Sequence, residues 1–146
     1  MTLTSTWALF LTTHAVLVEK IEAALKKADL PPLTWYDVLW ALERAPEHRL
    51  RMHELAQGVV LSRSNLTRLV DRLETARLVK RIQATDDKRG AYSVITPAGL
   101  AMRTRMWPIY LREIENLFNA HLKPAEDAVM REALRRILKA SRIADD

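Results

Sequence analysis

Polar side chains of the kinds that read DNA bases are concentrated between residues 62 and 72. An arginine guanidinium can form two hydrogen bonds to guanine, and an asparagine amide can do the same to adenine. Serine and threonine hydroxyls can bind phosphates or base edges. The candidate DNA contacts in this segment are Ser62, Arg63, Ser64, Asn65, Thr67, Arg68 and Arg72. They are interspersed with Leu66, Leu69 and Leu73 at helical spacing, which predicts an amphipathic helix with a polar outer face.

A second group of charges follows in the segment VKRIQATDDKRGAYSVIT, residues 79–96. Two runs rich in β-branched residues flank a turn that contains Asp and Gly, which predicts a β-hairpin. Lys88 in the turn is a candidate phosphate contact, and Arg89 can enter a narrow minor groove. Asp87 is placed to pair with Arg89 and to fix its direction. A helix-turn-helix followed at once by a basic hairpin indicates the winged variant of that motif.

The net charge of +5 is unevenly distributed along the chain. Residues 62–92 contain eight lysines and arginines against four acids, a balance of +4, whereas residues 1–40 contain three against four, a balance of −1. A local basic patch favours a polyanionic partner such as DNA, RNA or an anionic membrane. A solvated helix face without a partner is the alternative for the charge alone.

The composition narrows the class of protein. A chain of 146 residues is long enough for one domain with a sizeable core. The chain has no cysteine, which excludes disulfides and thiolate metal sites and fits a reducing compartment. The N-terminal apolar run lacks signal-peptide features, and Thr12, Thr13 and His14 interrupt it well short of a membrane span. We therefore expect a cytoplasmic protein that does not bind a membrane.

The sequence gives little support for an enzyme. In HELAQ, residues 53–57, Gln57 stands where a zinc protease helix needs its second histidine. The three glycines, Gly58, Gly90 and Gly99, are too scattered to form a phosphate-binding loop, and no nucleophile elbow is present. We expect a protein that is not an enzyme and that has no cofactor and no metal site.

The elements that must position the polar segment are mainly helical. Apolar spacing predicts a first helix over residues 5–28 and a second from Thr34 as N-cap to Pro46. A short third helix ends near Gly58, and a fourth runs from Ser62 or Ser64 as N-cap through Leu73. A fifth helix starts at Thr96–Pro97 and is kinked at Pro108, and a sixth runs from Pro124 to residue 143. Leu55 and Val59 face inward on the short helix, so this helix and the next form a helix-turn-helix. The predicted fold class is mainly α with a small β-wing.

The outer helices carry apolar stripes that the central lobe does not match. We predict one domain over residues 1–146, with a DNA-binding lobe at 34–96 and dimerisation helices at 5–28 and 97–143. Unmatched apolar faces at both ends of a chain favour contact with a second copy, hence a homodimer. Burial of both faces within a monomer is the alternative.

Over nearly its whole length the chain resembles the MarR (multiple antibiotic resistance regulator) family of bacterial transcription factors. The resemblance lies in LTWYDVLWAL, SRSNLTRLVDRLETARLVKR and DDKRGAYSVITPAG. In the wing signature Asp87, Arg89, Thr96 and Gly99 match the family, Ile95 replaces the usual Leu, and Ser93 stands where an apolar residue is usual, with Val94 beside it. The resemblance implies a transcriptional regulator, expected to be a repressor, that binds a palindromic operator in double-stranded DNA as a homodimer.

The family resemblance also implies release by a small aromatic or phenolic ligand. The candidate pocket residues are Trp7, Phe10, His14, Tyr36 and Trp40. If the first helix and the second helix bring these side chains together, they form an apolar pocket with polar groups for an aromatic acid. The alternative is that they are core and interface aromatics. For the whole chain, the alternative function is a winged-helix module for protein or RNA contacts without ligand sensing.

Overall fold

The computed structural model describes residues 4–83 and 90–143. The elements are α1 (Thr6–Lys27), α2 (Leu33–Glu43), β1 (Arg49–Arg51), α3 (Met52–Gly58), α4 (Leu66–Thr75), β2 (Val79–Gln83), β3 (Ala91–Ile95), α5 (Pro97–Leu117) and α6 (Pro124–Ile143). Short 3-10 turns occupy Pro46–His48, Arg63–Asn65 and Asn119–His121. The predicted fold class, mainly helical with a small β-wing, is confirmed. Asp87, Lys88 and Arg89 at the predicted wing tip lie outside the described residues.

The wing hairpin forms as predicted, and a third strand joins it. The sheet order is β1-β3-β2 with both pairings antiparallel. Sequence analysis missed β1 because its three residues are too short to show an alternating pattern. In β3, Ser93 and Ile95 are the buried residues, so Ser93 occupies the inward position where the family usually has an apolar residue.

Two predicted helix caps are wrong. The second helix starts at Leu33 rather than after Thr34, and the Leu33 amide donates to the Glu22 carboxylate of α1 at 2.7 Å. Neither Ser62 nor Ser64 caps α4, the second helix of the helix-turn-helix, which we call the recognition helix. Within the described part of the chain, no side-chain cap bond is seen at the start of α4 or of the 3-10 turn before it. Both helix starts are stabilised by tertiary contacts, which local sequence patterns do not show.

The predicted cap of the long helix is confirmed. Thr96 Oγ1 accepts the amide of Gly99 at 3.0 Å and donates to the Arg77 carbonyl at 2.7 Å. Gly99 packs so closely against the turn before β2 that an added Cβ would overlap the Leu78 carbonyl oxygen. The start of α5 is therefore fixed directly against the base of the wing. Pro108 lies inside α5.

Buried side chains form two clusters. The lobe core joins α2, α3, α4 and the sheet, and its fully buried members include Leu39, Leu42, Leu55, Val70 and Leu73. The junction core joins the C-terminal half of α1 to α2 and α5, and it consists of Ile21, Leu25, Leu33, Tyr36 and Met106. Since α2 contributes to both clusters, it connects the winged lobe to the long helices.

The N-terminal half of α1 and most of α6 remain exposed in the single chain. Large apolar side chains on these surfaces include Trp7 at 67 % exposure and Ile137 at 61 %. Exposed apolar surface on this scale is typical of a protein-binding face. Within the described ranges, no helix is long and apolar enough to cross a membrane.

Candidate DNA-binding interface

The recognition helix presents its polar side chains outward, as predicted. Leu66, Leu69, Val70 and Leu73 are buried in the lobe core. The side chains of six predicted contacts are exposed: Arg63, Ser64, Asn65, Thr67, Arg68 and Arg72. All except Arg72 line one open depression, to which Met52 and Ala56 also contribute. The structure therefore brings most of the predicted contacts together on one accessible surface.

Ser62 is the exception among the predicted contacts. It is only 4 % exposed. Its hydroxyl lies 3.0 Å from Asp37 Oδ2 and 3.2 Å from the Thr34 carbonyl oxygen, both on α2. The prediction that Ser62 faces DNA is corrected, because its side chain is directed into the lobe rather than towards solvent.

The wing is tied to the recognition helix by an ionic contact. Arg81 of β2 lies 2.6 Å from Asp71 and 3.2 Å from Glu74, both on α4. The three groups are about half exposed, so the contact orients the wing more than it stabilises the fold. Arg81 contributes to the positive charge counted in the sequence, but two acids neutralise it locally.

Two further arginines flank a tyrosine on the outer face of the sheet. The guanidinium carbons of Arg49 and Arg51 lie 4.6 and 5.0 Å from the centre of the Tyr92 ring. Arg51 also donates to the Tyr92 hydroxyl at 3.1 Å, and Arg49 pairs with Glu47 at 2.7 Å. These cations were not predicted from the sequence, because a three-residue strand such as β1 gives too short a pattern to be recognised.

An aromatic cluster joins α2 to α5. The Tyr36 ring centre lies 6.0 Å from that of Trp107 and 5.1 Å from that of Tyr110. Burial raises the pKa of Tyr36 and of Tyr110 above the usual value of 10.0, so both hydroxyls are neutral at physiological pH. Neither Tyr110 nor Trp107 was predicted from the sequence to belong to a site.

An ion pair lies beside this cluster. Arg103 Nε of α5 lies 2.8 Å from Glu43 Oε2 of α2, and both side chains are less than one-fifth exposed. The Arg103 guanidinium also covers the Trp40 ring at 5.2 Å. Aromatic and ionic contacts therefore connect α2 to α5 along two turns.

The five predicted pocket residues do not surround one cavity in the single chain. Trp7 and Phe10 contact each other, with ring centres 6.2 Å apart, and both are exposed, as is His14. Tyr36 belongs to the junction core with Ile21. With a rise of about 1.5 Å per residue, Trp7 lies about 21 Å along α1 from Ile21. The single chain therefore does not bring Trp7 and Tyr36 together, and a pocket formed by all five residues stays a prediction.

Comparison with known proteins agrees with this geometry. Residues 28–90 match the model of the MarR family. The chain is 34 % identical over 82 residues to the transcriptional regulator PrsX of Escherichia coli, covering 54 % of this chain and 49 % of PrsX. The chain thus spans about half the length of that curated relative. AbsC, a MarR family transcriptional regulator from Streptomyces coelicolor, superposes with a TM-score of 0.84 at 28 % identity, covering 93 % of this chain and 91 % of AbsC.

A second Streptomyces coelicolor structure shows a similar protein with DNA. Sco3205, a MarR family transcriptional regulator in complex with DNA, superposes with a TM-score of 0.83 at 27 % identity, covering 92 % of this chain and 84 % of Sco3205. Over nearly its whole length the chain is thus similar to MarR family transcriptional regulators, and residues 28–90 match the model of that family. This family is not enzymatic, in agreement with the sequence-based expectation.

Proposed function

We propose that this protein is a sequence-specific DNA-binding transcriptional regulator that acts as a repressor. The observation that carries the proposal is the exposed polar surface of the recognition helix, whose opposite face is buried in the lobe core. The DNA complex of the similar protein Sco3205 supports the same use of the fold. A major groove is wide enough to admit one helix, so α4 can present side chains to base edges.

The proposed contacts divide into base-reading and backbone-binding groups. Asn65 and Arg68 can pair with adenine and guanine through two hydrogen bonds each. Hydroxyls such as those of Ser64 and Thr67 suit phosphates or base edges. From the sequence alone, we assign Lys88 to a phosphate, and Arg89 with Asp87 to the minor groove beside the wing.

We further propose that the protein binds a palindromic operator as a homodimer. The exposed apolar surfaces of α1 and α6 support this proposal, since a second copy can cover them. Residues 5–28 and 97–143 would then form the dimerisation region, with the lobe at 34–96 repeated across the two-fold axis. Two recognition helices read half-sites about 34–36 Å apart, one turn of the duplex.

The dimer can be tested by analytical ultracentrifugation of substituted proteins. Deletion of residues 124–146 should abolish dimerisation, because it removes α6. Ile137→Asp introduces a charge at an exposed apolar position of the same helix. Lys139→Asp is the matched control, since Lys139 is about 200° away around the helix. Dimers that persist in both the deletion and Ile137→Asp proteins would remove α6 from the interface.

The experiment for DNA binding compares a duplex selected from a random library with a random duplex of equal length. Asn65→Ala and Arg68→Ala should each cost about 1–3 kcal/mol on the selected site and relax base preference locally. Lys88→Ala should weaken binding to both duplexes and reduce the salt dependence. Arg112→Ala is a control at an exposed arginine on α5. Equal losses on both duplexes for the helix variants would contradict base reading by α4.

We also propose that a small aromatic acid relieves DNA binding. The contact between α2 and α5 supports this part of the proposal, because the partly exposed Trp107 and the cation of Arg103 lie there beside Tyr36. An effector changes DNA affinity only by its differential affinity for two arrangements of the protein, typically 5–150-fold. By reciprocity, operator DNA must weaken effector binding by the same factor.

A further inference from the structure

The turn that leads into the recognition helix is held by the second helix at both ends. Asp37 of α2 accepts the Val60 amide at 3.0 Å, the Leu61 amide at 2.6 Å and the Ser62 hydroxyl at 3.0 Å. At the other end of the turn, the Arg44 guanidinium donates to the Gly58 carbonyl oxygen at 2.7 Å. The turn is therefore hydrogen-bonded to α2 by the Asp37 carboxylate at one end and by the Arg44 guanidinium at the other.

The spacing of these groups on α2 matches the path of the turn. Asp37 and Arg44 are seven residues apart, which places them on one face of the helix two turns from each other. Ala41 lies between them on the same face, and an added Cβ at Gly58 would be 3.6 Å from the Ala41 Cβ. The turn thus follows α2, and at Gly58 it lies close enough for an added Cβ to reach ordinary van der Waals distance from Ala41.

The Asp37 contacts act on the residues immediately before the DNA-facing surface. The exposed segment starts at Arg63, directly after Ser62. Along the described chain, neither α4 nor the 3-10 turn before it shows a side-chain cap of its own. Hydrogen bonds to a carboxylate are shorter and stronger than those between neutral groups. Asp37 is thus the strongest polar restraint seen on the backbone that leads into the recognition helix.

We propose that Asp37, assisted by Arg44, is a positioning residue that sets the orientation of the recognition helix and thereby the base specificity of the protein. Asp37 does so without touching DNA, since its carboxylate is occupied by the turn. This inference rests on the proposed function. A small rotation of α4 misaligns the bidentate pairs, which depend on geometry, but leaves the attraction to phosphates, which depends on charge.

The test uses Asp37→Asn in the full-length protein. The amide keeps the shape of the side chain, but it replaces one accepting oxygen with a donor that faces other donors. Affinity for the selected duplex should fall at least about tenfold, a change of about 1.4 kcal/mol. Affinity for the random duplex should stay within about twofold of wild type, because phosphate attraction is unchanged. Asp29→Asn, at an exposed acid between α1 and α2, is the matched control.

A second readout separates positioning from a general structural role. Base preference is measured at every position of the selected site. A contact residue changes preference at the base it touches, whereas Asp37→Asn should weaken preference at all positions read by α4 together. Ser62→Ala removes one donor to the same carboxylate and should give a smaller change of the same pattern. If Asp37→Asn does not fold, Ser62→Ala and Arg44→Gln carry the test.

The outcomes distinguish this proposal from the proposed function. A wild-type protein that binds selected and random duplexes equally well would overturn the proposed function and the positioning role with it. A wild-type preference that survives Asp37→Asn, Ser62→Ala and Arg44→Gln unchanged would overturn the positioning role alone. Equal loss on both duplexes, in variants that remain folded dimers, would also overturn it.

Discussion

Replacing Gly99 by alanine should destabilise the protein although it raises helix propensity. An added Cβ would overlap the Leu78 carbonyl oxygen and lie 2.7 Å from Ile95 Cγ1. The carbonyl cannot move away freely, because it accepts the Thr96 amide at 3.0 Å. Overpacking of this kind costs about 1–3 kcal/mol, and loss of that hydrogen bond adds about 1 kcal/mol. Alanine offsets about 1 kcal/mol through its helix propensity, which leaves a net loss of about 1–3 kcal/mol.

The assay is urea denaturation at one fixed protein concentration, because the stability of the proposed dimer would depend on concentration. Gly58→Ala is the matched control: among the described residues, its Cβ would meet the Ala41 Cβ alone, at an ordinary 3.6 Å. Alanine at a compatible glycine position stabilises by about 0.4–1 kcal/mol. The explanation would be refuted if Gly99→Ala were as stable as wild type. It would also be refuted if Gly58→Ala lost as much free energy of unfolding as Gly99→Ala, because the close approach of α5 to the base of the wing would then not explain the need for glycine.

Three further predictions follow from contacts at the wing and at α5. Arg81→Ala should lower the free energy of unfolding in urea by less than about 1 kcal/mol, because its ion pairs are half exposed. It should still weaken DNA binding, because the wing is no longer held against α4. Unchanged DNA affinity would contradict a positioning role for Arg81. Burial raises the pKa of Tyr36 and Tyr110 in the folded state, so the unfolded chain ionises first as pH rises. Stability should therefore fall from the unfolded pKa, about 10, up to the folded pKa, and Tyr110→Phe should reduce this slope in denaturation series at pH 9–11. Salicylate should quench tryptophan fluorescence saturably, and it should bind more weakly when operator DNA is bound. Trp107→Phe should remove most of the quenching, whereas Trp7→Phe should remove little of it. The reverse pattern would place the effector on α1 instead.

Sequence patterns predicted the elements whose signal is local. The recognition helix was predictable because Leu66, Leu69 and Leu73 recur at helical spacing and the polar residues fill the other face. The hairpin was predictable because β-branched runs flank a turn, and the Thr96 cap because proline follows it directly. Each of these patterns is complete within about twenty residues.

Other features depend on residues that are distant in sequence. Glu22 of α1 accepts the first amide of α2, so the cap assigned to Thr34 was wrong. The side chain of Ser62 has the same chemistry whether it faces DNA or Asp37, and only the packing of α2 against the turn decides between them. Trp7 and Tyr36 lie apart in the single chain for a similar reason, because helical spacing does not show which turn of a helix packs against its neighbours.

In the proposed ligand-responsive regulator, the second helix links the long helices to the proposed DNA-binding surface. Two pairs of adjacent residues on α2 each contact α5 with one member and the turn before α4 with the other. In the first pair, Tyr36 packs on α5 and Asp37 accepts hydrogen bonds from the turn. In the second pair, Glu43 forms an ion pair with α5 and Arg44 donates to the turn. A helix of three turns is rigid on the scale of these contacts. A displacement of α5 that carries α2 with it therefore moves both ends of the turn together. In the proposed homodimer, whose half-site spacing tolerates little change, such a displacement would lower operator affinity without altering any of the side chains proposed to contact bases.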